Sequence, residues 1–166
     1  MTADPAATDV TEPDRVHLRT ALDLARAAAA AGSAPFGAVL VDGRGRVLAT
    51  GRNDAAVSGP TAHAETEAVR SVPVADRHRL TGATCYASGE PCPQCTGALV
   101  WAGVTRIVFA AATVDFAPLL APGPSFAITC AELVALSDAD VEVVGPALGP
   151  AGLAPFRGAG AADAGP

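Results

Sequence analysis

Four side chains in two short stretches constrain this chain more than anything else in it. They are His63 and Glu65 in Pro60-Thr61-Ala62-His63-Ala64-Glu65, and Cys92 and Cys95 in Glu90-Pro91-Cys92-Pro93-Gln94-Cys95. Cys92 and Cys95 stand three apart at an expected helix start, so both sulfurs can point into one coordination sphere. The free N–H groups and positive dipole end of that helix favour thiolate over thiol. His63 is expected in the first turn of the preceding helix. Two helix N-termini aimed at one point would place one nitrogen and two sulfurs around a zinc ion at roughly 2.0–2.3 Å. Three protein ligands leave one coordination position open, which separates a catalytic zinc from a structural one.

Glu65 lies two residues after His63, on a different side of the helix, and so does not read as a further ligand. Its carboxylate can sit beside the open position, take a proton from an attacking water and hand protons on to a substrate. A redox dithiol would account for neither His63 nor Glu65. A closed four-ligand knot would need Cys85 or Cys130, which read as core residues of a strand and a helix. Glu90 reads as an exposed loop or cap residue.

Along the chain, residues 1–13 are acidic and polar and read as disordered. Residues 14–145 read as the folded domain, and 146–166 as a poorly ordered Gly/Ala/Pro-rich tail with Leu153 and Phe156 its only large apolar anchors. Within the domain, the apolar spacing from Val16 to Ala25 predicts a helix from Asp14 to about Ala31, closed by Gly32. A buried strand over 36–41, a turn at Asp42-Gly43-Arg44-Gly45 and a returning strand over 46–51 form a hairpin. A loop follows over 53–60, then a helix over 62–72 and a strand over 83–88. A helix over 93–102 starts with Pro93, whose missing N–H costs nothing at that position. A strand over 105–111, an irregular proline-rich segment over 116–125, a short helix over 127–136 and a strand over 141–144 complete the domain. Strands alternating with helices imply an α/β sandwich with its later strands parallel.

Composition narrows the partners. The chain has 166 residues and a net charge of −6, and its positive charge is eleven arginines with no lysine. The arginines are scattered, and nothing forms the basic stripe that binding a nucleic-acid backbone calls for. The apolar runs fall short of a membrane span. No secretory pattern opens the chain, so a cytoplasmic protein acting on a small molecule is expected. Three further residues suit a pocket for a flat ligand. Asn53 can offer amide donors and acceptors to a base, or simply hold a turn. Phe36 can pack on the ligand or fill core. Trp101 can stack on a heterocycle or anchor the core edge.

Together the Pro-Phe-Gly-Ala-Val-Leu-Val strand, Asn53, Pro60 to Glu65, and Glu90 to Cys95 with Gly97-Ala98 resemble the cytidine and deoxycytidylate deaminase superfamily. The H-x-E then P-C-x-x-C order is the signature of zinc-dependent nucleobase deaminases. The branch most similar is that of guanine deaminases, yeast-type cytosine deaminases and tRNA adenosine deaminases, over roughly Asp14 to Asp115. The resemblance implies a three-layer α/β/α sandwich around a central five-stranded mixed sheet. It also implies zinc held by His63, Cys92 and Cys95, with Glu65 as the proton carrier of a hydrolytic deamination that releases ammonia. Homodimers whose subunits complete each other's pockets are implied as well.

The run from Trp101 to Asp115 is similar to guanine deaminases, where the counterpart of Asp115 helps recognise the purine and that of Trp101 lines the pocket. A guanine-like aminopurine is therefore the first expected substrate. A cytosine, triazine or nucleoside comes second and a tRNA adenosine last, since the acidic charge removes attraction to a stem-loop. Gln94 in place of the usual methionine, the 116–126 segment and the C-terminal tail depart from these relatives. Two rival readings are a zinc-stabilised module without turnover and a nucleic-acid editing enzyme.

Overall fold

The computed structural model describes residues 10–158. Helix α1 (Glu12–Ala30) begins two residues before the expected start, because Thr11 and Asp14 form a capping box. The Thr11 hydroxyl accepts from the Asp14 N–H at 3.3 Å, and Asp14 Oδ2 accepts from the Thr11 N–H at 2.8 Å. This satisfies two otherwise orphaned donors and corrects the reading of residues 10–13 as disordered; residues 1–9 lie outside those described. At the other end Gly32, at φ 82°, donates to the Ala29 carbonyl while Ser33 donates to that of Ala28, a Schellman closure.

Strands β1 (Gly37–Val41) and β2 (Val47–Arg52) form the expected hairpin, with Gly45 at φ 80° in its turn. After the four-residue helix α2 (Ala55–Ser58) comes α3 (Ala64–Ser71), then a 3-10 stretch over Val74–Leu80 that sequence periodicity did not foretell. Strand β3 (Thr84–Gly89), helix α4 (Pro93–Trp101) and strand β4 (Arg106–Ala111) follow. A short helix α5 (Thr113–Phe116), a 3-10 turn (Ala117–Leu119) and helix α6 (Cys130–Ala135) flank the proline-rich segment. Strand β5 (Glu142–Val144) then completes the sheet.

The five strands lie in the order β2-β1-β3-β4-β5, with β1 antiparallel to both β2 and β3 and the pairs β3/β4 and β4/β5 parallel. Side-chain alternation builds the three layers. Val39, Val41, Tyr86 and Val108 face α1 and pack on Leu18, Ala21 and Leu22. Their neighbours Ala38, Leu40, Cys85 and Ile107 face the opposite way, onto Ala64 and Ala68 of α3 and Leu99 of α4. Each large aliphatic side chain buried in this way contributes about 1.5–3 kcal/mol.

A polar fastener crosses the layers. Asp14 accepts from the Tyr86 hydroxyl at 2.7 Å and from two Arg106 nitrogens at 2.7 and 3.2 Å, while Arg106 Nε reaches Glu142 at 2.7 Å. It ties the start of α1 to β3, β4 and β5.

The described part of the tail is packed rather than loose. A 3-10 turn (Gly149–Ala151) and helix α7 (Ala154–Arg157) carry Phe156 to complete burial against Phe116 and Ala111. That is a correction for residues 146–158; residues 159–166 lie outside those described. Leu153 packs on the same cluster, Pro155 is buried, and Ala147 and Leu148 pack on the α1 side of the sheet.

Candidate active site

The site forms where β3 and β4 end, the position at which open α/β sheets place their ligands. Cys92 is the N-cap residue of α4, Pro93 is its first residue, and Cys95 follows one turn in. His63 is the N-cap of α3 rather than a residue of its first turn, so its extended backbone (φ −83°, ψ 154°) aims the ring out of the helix end. The expected convergence is present. His63 Nδ1 lies 3.4 Å from Cys92 Sγ and 3.7 Å from Cys95 Sγ, and the three ligand atoms all fall within 4.8 Å of one another. A tetrahedral zinc with its usual bond lengths has N···S edges of about 3.6 Å, so the spacing fits that ion. Cys85 and Cys130 are buried core residues outside this cluster, and no fourth protein ligand joins it among the described residues.

Electrostatics agree with the donor set. Cys92 is pulled down to about 4, first by its hydrogen bond with Cys95 and then by His63. The neighbouring Cys95 is pushed up, because a thiol bonded to the Cys92 thiolate and buried beside Glu65 resists a second negative charge. His63 is raised by its hydrogen bond with Cys92, and burial raises Glu65. Two sulfurs and a carboxylate crowded in one buried place call for a divalent cation to neutralise them.

Glu65 is 4 % exposed and lines the same cleft as His63 and Cys92. That cleft, of about 480 Å³, is also lined by Phe36, Asn53, Glu90 and Phe116, and by most of the segment from Leu120 to Ile128. Asn53 is buried; its Oδ1 accepts from the Ala55 N–H at 3.1 Å, which orients the side chain. Both roles weighed for it, turn-holder and cleft residue, thus coexist. Phe36 packs edge-on against Phe116 and Phe156, each at 5.3 Å, and the latter two stack at 4.8 Å. The three rings meet over Gly89, where a Cβ would lie 2.9 to 3.2 Å from all of them.

Two expected residues are not brought to the cleft. Trp101 is 91 % exposed as the last residue of α4 and does not line the cleft. Asp115 is exposed on α5, whose cleft-facing residues are Thr113 and Phe116. Two residues do more than their sequence context suggests. Glu90 is a cap residue as expected, but for two distant helices at once, and at 8 % exposure it is buried rather than exposed. Gln94 Nε2 donates to the Thr61 carbonyl at 2.8 Å and to the Thr66 hydroxyl at 3.3 Å, bracing α4 against α3. Its polarity was the visible signal. For Glu90 no local signal existed, since its partners lie 23 and 40 residues away.

Over residues 11–111 the chain matches the family described as the cytidine and deoxycytidylate deaminase zinc-binding region. It is 30% identical over 156 residues to the probable cytosine deaminase of Schizosaccharomyces pombe, covering 92% of this chain and 96% of that one. It is 42% identical over 102 residues to the tRNA-specific adenosine deaminase of Haemophilus influenzae, covering 60% and 59% of the two chains. The solved guanine deaminase of Nitrosomonas europaea superposes with a TM-score of 0.74 at 27% identity, covering 96% of this chain and 89% of that one. These relatives differ in substrate, yet every one of them is a deaminase, and the shared region is the part that builds the metal cluster. The chain therefore belongs to the cytidine and deoxycytidylate deaminase family and is a zinc-dependent hydrolytic deaminase.

Proposed function

We propose that this chain hydrolyses the exocyclic amine of a free nucleobase, a guanine-like aminopurine before a cytosine or triazine, with His63, Cys92 and Cys95 holding zinc. The observation that carries this reading is the convergence of Glu65, His63 and Cys92 on one cleft walled by Phe36 and Phe116. Flat aromatic walls with few polar groups suit a planar heterocycle. Bound zinc supplies the acidity that makes water a nucleophile near neutral pH. Glu65 takes the proton from the water as its oxygen adds to the amine-bearing carbon. It passes that proton to the adjacent ring nitrogen, then takes the second proton from the new hydroxyl and gives it to the amine, so that C=O forms as the C–N bond breaks and ammonia leaves. Burial favours this role, since it raises the Glu65 carboxyl and so makes it a better acceptor for the proton it must take and give back. Asn53, fixed through its Oδ1, offers its NH2 to the base.

Purine preference draws support from the fold-wide similarity to the Nitrosomonas guanine deaminase and from a cleft roomy enough for two fused rings. The full-length similarity to a probable cytosine deaminase supports the pyrimidine alternative. The acidic, lysine-free composition argues against a tRNA stem-loop. A homodimer belongs to the same reading, with exposed Trp101 as an anchor between copies.

The test is ammonia release from guanine, cytosine, adenine, their nucleosides and small triazines. Glu65→Ala should keep one zinc per chain yet lose on the order of 10²–10⁴-fold in kcat, whereas Cys92→Ala should lose the metal as well. Normal turnover by Glu65→Ala would refute the proton-carrier role. Silence of the wild type on every base would favour a non-catalytic module, and salt-dependent RNA binding would favour an editing enzyme.

A further inference from the structure

Glu90 sits between the end of β3 and the first metal-ligand cysteine, its N–H bonded to the Ala111 carbonyl at 2.8 Å. Its buried carboxylate makes two long-range bonds. Oε2 accepts from the N–H of Thr113 at 3.0 Å, and Oε1 accepts from the N–H of Cys130 at 2.9 Å. These donors belong to the first residues of α5 and α6, helix-start N–H groups with no partner inside their own helices. One carboxylate therefore holds both ends of the segment 113–130, and that segment supplies a wall of the cleft through Phe116, Leu120, Phe126 and Ile128. Between the ends, Pro118, Pro122 and Pro124 remove backbone donors and leave few internal bonds to keep the wall in place.

We propose that Glu90 is a positioning residue for substrate, clamping the ends of segment 113–130 so that its inner side closes one wall of the base-binding cleft. Bonds to a charged acceptor are roughly twice as strong as neutral ones, which suits a clamp whose two donors have no alternative partner. The kinetic part of this inference rests on the deaminase reading; the clamp itself does not.

The test compares wild type, Glu90→Gln and Glu90→Ala. Glutamine keeps one acceptor and turns an amide donor against the other N–H, releasing one end; alanine releases both. Both variants should retain one zinc per chain. Amide hydrogen exchange should accelerate within 113–130 and not elsewhere, more for alanine than for glutamine. KM for the best base should rise about 10-fold in Glu90→Gln and up to about 100-fold in Glu90→Ala with kcat little changed, as loss of one and then two charge-assisted bonds would give. A general loss of stability would instead raise exchange over the whole chain and leave KM alone. That pattern, or unchanged exchange and KM in a folded variant, overturns the proposal. If Glu90→Ala does not fold, Glu90→Gln decides on the same readouts. If the wild type releases no ammonia from any base, the deaminase reading fails and the exchange data still decide the clamp.

Discussion

Gly51→Ala is the substitution whose consequence the geometry states most directly. Gly51 lies in β2 under α3, and a Cβ there would stand 2.1 Å from the Ala64 carbonyl oxygen, 2.5 Å from the Ala68 nitrogen and 3.0 Å from the Ala68 Cα. All three atoms are backbone, so no side chain can rotate away. Close carbon–oxygen contacts in proteins settle near 3.3 Å, so α3 must lift by about 1 Å. Overpacking of this kind costs about 1–3 kcal/mol. The second cost falls on the site, because α3 carries His63 at its cap and Glu65 in its first turn. A shift of about 1 Å exceeds the tolerance of roughly 0.5 Å for a working constellation. Zinc should therefore bind at least about 10-fold more weakly, and turnover should fall on the order of 100-fold.

The assay is urea unfolding of chelator-treated and zinc-loaded protein, with zinc affinity measured by chelator competition. Both forms should lose stability, and the loaded form should lose more, since weaker binding also removes ligand stabilisation. Gly97→Ala is the control: it lies inside α4 with nothing within 4 Å of the added carbon, so it should stabilise by up to about 1 kcal/mol. Equal losses in the two forms, with unchanged zinc affinity, would refute the claim that helix position couples β2 to the metal cluster.

Two further outcomes follow from the charge network and the surface. Burial pushes the Asp14 carboxyl up, but bonds from Arg106, the Thr11 backbone and Tyr86 outweigh it and hold the group well below the usual range. A depressed carboxyl stabilises the fold fully above its unfolded value near 3.9, and that part is lost as pH falls below it. Asp14→Asn should thus cost about 3 kcal/mol at pH 7 and show a shallower loss of urea stability on going to pH 3; parallel losses in both proteins would contradict the assignment. Burial, aided by Asp14, pushes Tyr86 up to about 12, so its neutral form supports the fold below the ordinary tyrosine range and that support fades as pH rises through 12. Trp101 is the sole tryptophan and almost fully exposed in one chain. If copies pair through it, its emission should shift to the blue with rising protein concentration and Trp101→Glu should sediment as a monomer; a wild type that stays monomeric at micromolar concentration would end the dimer reading.

What could be read from the sequence was whatever is local or periodic. The hairpin turn declared itself through Asp42 to Gly45, α4 through Pro93, and the end of α1 through Gly32, each a residue type demanded by backbone geometry at that position. The metal cluster was legible because its ligands must sit at helix starts to meet, and the spacing says so. Short elements were not legible: α2, α5 and α7 have four residues each, too few to show a helical period. The polar stretch Val74–Leu80 likewise offers no apolar face.

The larger misses share one cause, which bears on how this enzyme selects its substrate. The chemistry of Glu90 and Phe156 alone says little of their placement, which depends on partners far along the chain. A glutamate defaults to solvent unless two distant N–H groups await it, and a phenylalanine in a Gly/Pro tail defaults to disorder unless Phe36 and Phe116 leave a slot. Glu90 lines the cleft, Phe156 backs its wall residues Phe36 and Phe116, and neither is a metal ligand. Chemistry is set by residues that local spacing aligns, and the shape of the substrate space is set by contacts that cross the fold. The reaction of such a chain is therefore written in its motifs, while the shape of its cleft depends on segment 113–130, which lines it, and on Phe156 packed behind Phe36 and Phe116, where any search for altered specificity should begin.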